Sequence, residues 1–131
     1  MKISRSIGYA LIAAGYVAMN CKDRAVLSST IAKEYGIPLE YLLKILQQLV
    51  RAGVLRSKRG PRGGFTLAKP AEEISMLEII ESVDGPLVAH LHLAELTKDA
   101  PFSLKMEDTC RKAAEQTRTT YTNAKLADMI N

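Results

Sequence analysis

Residues 31–70 read "IAKEYGIPLEYLLKILQQLVRAGVLRSKRGPRGGFTLAKP", and the fold turns on how this stretch divides. Gly36 and Gly53 are natural helix stops and Pro38 suits a first turn, so residues 37–53 carry both a helix start and a helix finish. Upstream, "LSSTIAKEYG" (27–36) predicts a short helix that Ser28 can cap. Two helices joined through a tight glycine turn, the second the longer, make a helix-turn-helix candidate. "VLRSK" and "GFTLA" are short β-type runs around "RGPRG", which predicts a hairpin over 54–68 with Arg59 and Arg62 at its tip.

At helical spacing, Leu39, Leu42, Ile45, Leu46 and Leu49 cover one broad face of the second helix, with Leu43 at the border. Glu40, Lys44, Gln47 and Arg51 form a narrow stripe on the other side. Lys44 and Gln47 can donate to base edges in a major groove, and Arg51 can reach a phosphate. The same stripe also reads as a solvated face with a Glu40–Lys44 i,i+4 pair. The glycine-rich turn is a poor phosphate-cradling loop, because G-x-x-x-x-G-K-[ST] is absent. As a wing it fits, since a basic hairpin directly after a helix-turn-helix can place an arginine in a minor groove.

The rest of the chain limits the alternatives. A length of 131 residues allows one globular unit with an extension, and 47% hydrophobic with 24% charged residues excludes wholesale disorder. The net charge of +4 hides an asymmetry: residues 1–70 hold 12 Lys+Arg against 3 Asp+Glu, and residues 71–131 hold 6 against 11. A basic front half points to a polyanion, and an acidic back half points to protein contacts. Cys21 and Cys110 lie far apart without a C-x-x-C, which excludes a disulfide framework or zinc-finger spacing and favours a reducing compartment. "YALIAAGYVAM" (9–19) is too short for a bilayer span and lacks a cleavage site, so no membrane is expected and the cytoplasm is the expected location. Two cysteines and two histidines supply no nucleophile, base and orienting group at any meaningful spacing, so no enzyme is expected.

"SRSIGYALIAAGYVAMN" (4–20) reads as a first core helix with Ile7, Leu11, Ala14 and Ala18 inward and Ser4 or Ser6 as cap. "EEISMLEIIESVDG" (72–85) reads as another helix, with Ile74, Leu77 and Ile80 inward and Glu72, Glu73, Glu78 and Glu81 solvated. Residues 86–103 are expected to be a linker with a short helix. Beyond it, Met106, Cys110, Ala113, Thr117, Thr120, Ala124 and Ala127 make a seam with alternating spacings of four and three. That seam suits either a dimer interface or packing on the same domain. The predicted class is mainly α with a small β-hairpin wing. It divides into a winged helix-turn-helix domain at 1–85, a linker or sensor loop at 86–103 and a dimerisation helix at 104–131.

The framework Tyr41-Leu42, Gly53, Arg59-Gly60, Gly63-Gly64-Phe65 and Leu67, followed by "ISMLEIIESVDG" (74–85), resembles the Rrf-two family of bacterial winged-helix transcription regulators. The resemblance implies a homodimeric regulator of double-stranded DNA, in particular a repressor, joined through the long C-terminal helix. It also implies a palindromic operator, recognition helices in successive major grooves and Arg59 in a minor groove. Family members read bases from the positions that are Glu40, Leu43 and Lys44 here, and the iron-sulfur member has a polar reader where this chain has Leu43. Many members carry Lys-Gly-Arg where this chain has Ser6-Ile7-Gly8, which leaves Arg5 as the substitute phosphate contact. The candidate DNA-contacting set is Arg5, Ser28, Ser29, Glu40, Tyr41, Lys44, Gln47, Arg51, Lys58, Arg59 and Arg62.

Iron-sulfur members hold their cluster with three cysteines in the loop before the dimerisation helix, and residues 86–103 have none, so no such cofactor is expected. Four readings of the signal follow. Cys110 is either a redox thiol or an inert small residue of the seam. His90 and His92 are either weak candidates for a metal or haem or plain surface histidines. A small-molecule ligand or a protein co-effector could also bind between the winged domain and the dimer helix. The rival overall reading is a winged-helix interaction module whose basic wing binds an acidic partner protein.

Overall fold

The computed structural model describes residues 3–88 and 91–131. Helix α1 (Arg5–Asn20) starts at Ser4, whose Oγ accepts the Ile7 N–H at 3.2 Å. It buries Ile7, Ala10, Ala13, Ala14 and Val17, while Leu11 and Ala18 are only half-buried. The inward face is therefore rotated from the predicted stripe and centred on alanines, whose small side chains let neighbouring helices approach closely.

Helix α2 (Ser28–Tyr35) is capped by Leu27 rather than Ser28, which is its first helical residue and makes no capping hydrogen bond. Gly36 ends it at φ +65°, a left-handed conformation that costs glycine little, and the Ile37 N–H returns to the Ala32 carbonyl at 3.0 Å. Ile37 is buried beneath the turn. Helix α3 (Leu39–Arg51) follows, its first bond running from the Leu42 N–H to the Pro38 carbonyl at 2.9 Å. Leu42, Ile45, Leu46 and Leu49 enter the core. Leu39, expected among them, is 42% exposed. Helical side chains lean toward the N-terminus, so a first-turn leucine projects past the packed turns.

Past Gly53, the chain drops the buried Val54 and Leu55 into the core and enters a hairpin. Strand β1 (Leu55–Lys58) pairs antiparallel with β2 (Gly64–Leu67), Leu55 opposite Leu67 and Lys58 opposite Gly64. Val26, in the α1–α2 connection, bridges to Phe65 through reciprocal bonds of 2.9 and 2.8 Å. The wing thus rests on a third strand-like partner, which the sequence reading did not include.

A 3-10 turn (Ala71–Glu73) precedes α4 (Met76–Asp84), so this helix starts at Met76 and not at Glu72. Its start is a capping box: the Glu78 N–H donates to Ser75 Oγ at 3.1 Å, and the Ser75 N–H donates to Glu78 Oε2 at 3.3 Å. Ser75→Ala is expected to cost about 1 kcal/mol, read as a lower urea midpoint. An unchanged midpoint would show that the box adds nothing.

Helix α5 (Leu93–Leu96) is the short helix expected in the linker. The long helix α6 (Pro101–Asn123) starts before residue 104 and stops well before 131. There the Met76 N–H donates to the Ala124 carbonyl and the Leu126 N–H to the Ile74 carbonyl, both at 2.8 Å. Helix α7 (Leu126–Ile130) then buries Leu126 and Ala127. Ala124 and Ala127 therefore leave the proposed seam, and the end of the chain packs on the winged domain. Two glutamates expected to be solvated also serve as ties. Glu78 Oε1 accepts Lys69 Nζ at 2.7 Å, and Glu81 Oε2 accepts both Arg118 of α6 at 2.7 Å and the Leu87 N–H at 2.6 Å.

Candidate nucleic-acid interface

Helix α3 buries one face and leaves Glu40, Tyr41, Lys44, Gln47 and Arg51 exposed on the other. The Glu40–Lys44 pair that would explain this stripe as a self-satisfied surface does not form. Among the described residues the ion pairs are Lys69–Glu78, His92–Glu95, Arg111–Asp108, Lys112–Asp108 and Arg118–Glu81. None involves Lys44, Arg51, Lys58, Arg59 or Arg62. With Arg56 of β1, which is likewise exposed and in none of these pairs, six cations sit on α3 and the wing without a carboxylate partner among the described residues, an arrangement that suits an external polyanion.

The start of α3 is fixed by Tyr41. Its ring meets Tyr9 edge-to-face with centroids 5.6 Å apart, and its hydroxyl is hydrogen-bonded to the Ser6 hydroxyl. Both partners belong to α1, so the tie holds the first turn of α1, with the exposed Arg5, to the opening of α3. The sequence reading listed Tyr41 but missed Ser6 and Tyr9 as its positioning partners, since nothing in local spacing marks a contact 35 residues away.

At the start of α2, Ser28 is half-buried and Ser29 exposed. The Thr30 N–H is already taken by the Leu27 carbonyl at 3.1 Å, so the amides of Ser28 and Ser29, with the helix dipole, are what favours an anion there. The wing tip, residues 59–63, exposes Arg59 and Arg62. Two glycines make its return possible. A Cβ on Gly63 would lie 2.5 Å from the Lys58 carbonyl oxygen, and one on Gly64 2.5 Å from that of Val26.

The back half of the chain presents a different chemistry. His92 is an exposed residue 3.5 Å from Glu95, and His90 lies outside the described residues. Cys110 is half-buried on α6, and Cys21 closes α1. On α6, Lys112 and then Arg111 hold the Asp108 carboxyl below its ordinary range. Among the described residues no helix is long and apolar enough to cross a membrane.

A model of the Rrf2 family, described as "Iron-dependent Transcriptional regulator", matches residues 3–131. A relative in Aquifex aeolicus (strain VF5), named among the HTH-type transcriptional regulators, is 46% identical over 81 residues, 62% of this chain but only 56% of that protein. The structure of CymR, "the Global Cysteine Regulator of B. subtilis", superposes with a TM-score of 0.85 over 99% of this chain and 96% of that one, at 22% identity. The oxidised form of Staphylococcus aureus CymR gives a TM-score of 0.76 at 28% identity, covering 100% and 97%.

The iron in the family description does not find thiolate ligands here. Only Cys21, just past the end of α1, and Cys110, on α6, are available, and residues 86–103 contain no cysteine. Among the described residues no three His, Cys, Asp or Glu side chains converge. The donor set does not fit a cysteine-held cluster. Helix-turn-helix, wing, long helix and matched sequence agree: the chain belongs to the Rrf2 family of winged helix-turn-helix transcriptional regulators.

Proposed function

We propose that the chain represses transcription as a homodimer on a palindromic operator, with α3 in the major groove and the wing in the adjacent minor groove. The observation that carries this reading is the unpaired cation set on α3 and the wing. Lys44 and Gln47 donate to base edges, Glu40 selects against acceptor-rich edges, and Arg51 and Lys58 neutralise phosphates. Arg59 enters the narrow, electronegative minor groove. Counterion release gives affinity, and the α3 stripe gives discrimination.

The dimer rests on α6. This helix has 23 residues and buries only Ser103 within its own chain, while Phe102 and Met106, four residues apart on one face, stay exposed. A second copy covering that face would set two α3 helices at the spacing of a repeated half-site. Cytoplasmic location follows from the partner being chromosomal DNA in a bacterium.

The test is an anisotropy titration of wild type, Lys44→Ala and Arg59→Ala against the operator and a half-site-scrambled duplex. Lys44→Ala is expected to lose about 1–3 kcal/mol of discrimination with little change in salt slope. Arg59→Ala is expected to weaken operator binding about tenfold. Equal operator affinity in all three proteins would defeat the assignment. Binding to an acidic protein with no duplex selectivity would favour the interaction-module reading instead.

A further inference from the structure

A cleft of about 640 Å³ lies between the end of α1, the α1–α2 connection and the wing tip, lined among others by Tyr16, Asn20, Asp23, Arg24, Thr30 and Arg62. The two arginines come from different parts of the chain, and neither has a carboxylate partner among the described ion pairs. Arg24 lies two residues before Val26, and Val26 is hydrogen-bonded both ways to Phe65 of the wing. The connection and the wing therefore form one unit, and Arg24 is held beside the wing rather than on a free loop.

We propose that this cleft seats one phosphate of the DNA backbone flanking the wing's minor groove, with Arg24 and Arg62 as its guanidinium ligands. This rests on the DNA-binding reading above and adds Arg24, which that reading did not use. A guanidinium matches phosphate geometry with paired N–H donors, so two of them from opposite walls enclose the anion. Thr30 and Tyr16 also line the cleft. Asp23 works in the opposite direction, since its carboxylate lies in the same cleft and repels the phosphate. A rim this charged is unlike the largely apolar enclosure that small-molecule sites present.

The proposal makes two substitutions act with opposite sign at neighbouring residues. Arg24→Ala is expected to weaken operator and unrelated duplex by the same factor, about three- to tenfold at low salt, and to reduce the salt slope by about one. Asp23→Asn is expected to tighten both. The measurement is anisotropy titration from low to moderate salt, with wild type and Lys44→Ala alongside. If wild type binds duplex and Arg24→Ala matches it in affinity and slope, the phosphate seat is overturned while the DNA reading stands. If wild type binds no duplex, the DNA reading itself fails. A calorimetric titration of the DNA-free protein with inorganic phosphate at constant ionic strength distinguishes the sources. Absence of saturable binding is expected, whereas saturable binding lost in Arg24→Ala would reassign the cleft to a free phosphorylated ligand and overturn the backbone assignment.

Discussion

Leu46→Ala is expected to destabilise the protein by about 2–5 kcal/mol, the range for a leucine removed from a closed core. Leu46 is fully buried in the cluster that unites α1, α2 and α3, and it lies on the inner face of the helix proposed to read DNA. Leu43→Ala, three residues earlier on the same helix, is the control: Leu43 is 37% exposed, and its truncation should stay within about 0.5 kcal/mol. Urea denaturation at one fixed protein concentration checks both, because assembly couples apparent stability to concentration. The comparison reports which way α3 is rotated. Equal losses would mean that Leu43 is also in the core, and that Glu40, Lys44 and Gln47 do not share a free face.

The helix-turn-helix and the wing were legible because their signals are local. Gly36 and Gly53 both adopt positive φ, and their neighbours' amides return to the carbonyls of Ala32 and Leu49 as a glycine stop requires. The hairpin pattern around "RGPRG" needed only strand-type runs and turn residues. What escaped the sequence reading depends on distant partners. Seen along the chain, the seam through Ala124 and Ala127 looks continuous, and no glycine or proline interrupts it. The break at Asn123 comes from backbone pairing with Ile74 and Met76, about fifty residues earlier. Glu81 looked like a solvated residue for the same reason: its guanidinium partner, Arg118, is 37 residues away.

The candidate site divides along the same line. Helical periodicity alone identified Lys44, Gln47 and Arg51 as a stripe, and the hairpin pattern alone put Arg59 and Arg62 at a tip. Periodicity could not say whether Glu40 pairs with Lys44, because two side chains at that spacing can meet or stay apart. The unpaired state of the stripe is a property of the folded side chains. Arg24 was missed for a different reason: it sits in a connection with no periodicity, and only the Val26–Phe65 bridge sets it beside the wing.

Gly64→Ala and Gly15→Ala are expected to move stability in opposite directions, and the first should also disable the wing. Gly15 lies inside α1, and nothing lies within 4 Å of where its Cβ would be. Alanine there gains about 0.5–1 kcal/mol through a less flexible unfolded chain and better helix propensity. At Gly64, φ is +141° and a Cβ would fall 2.5 Å from the Val26 carbonyl oxygen and 2.8 Å from its carbon. Those are backbone atoms, which cannot rotate away as a side chain would. Relief requires losing the reciprocal Val26–Phe65 bonds, each worth about 1 kcal/mol, on top of about 1–3 kcal/mol of backbone strain. Gly64→Ala should therefore cost about 3–5 kcal/mol, or open the wing locally at a smaller global cost. Hydrogen exchange at the Val26 and Phe65 amides distinguishes these outcomes, since local opening exposes both while α3 amides stay protected. In either case the Arg59 and Arg62 tip loses its fixed position, and operator affinity should fall at least as far as in Arg59→Ala. A Gly64→Ala protein with intact protection at both amides and wild-type operator affinity would mean that the wing does not depend on this close approach.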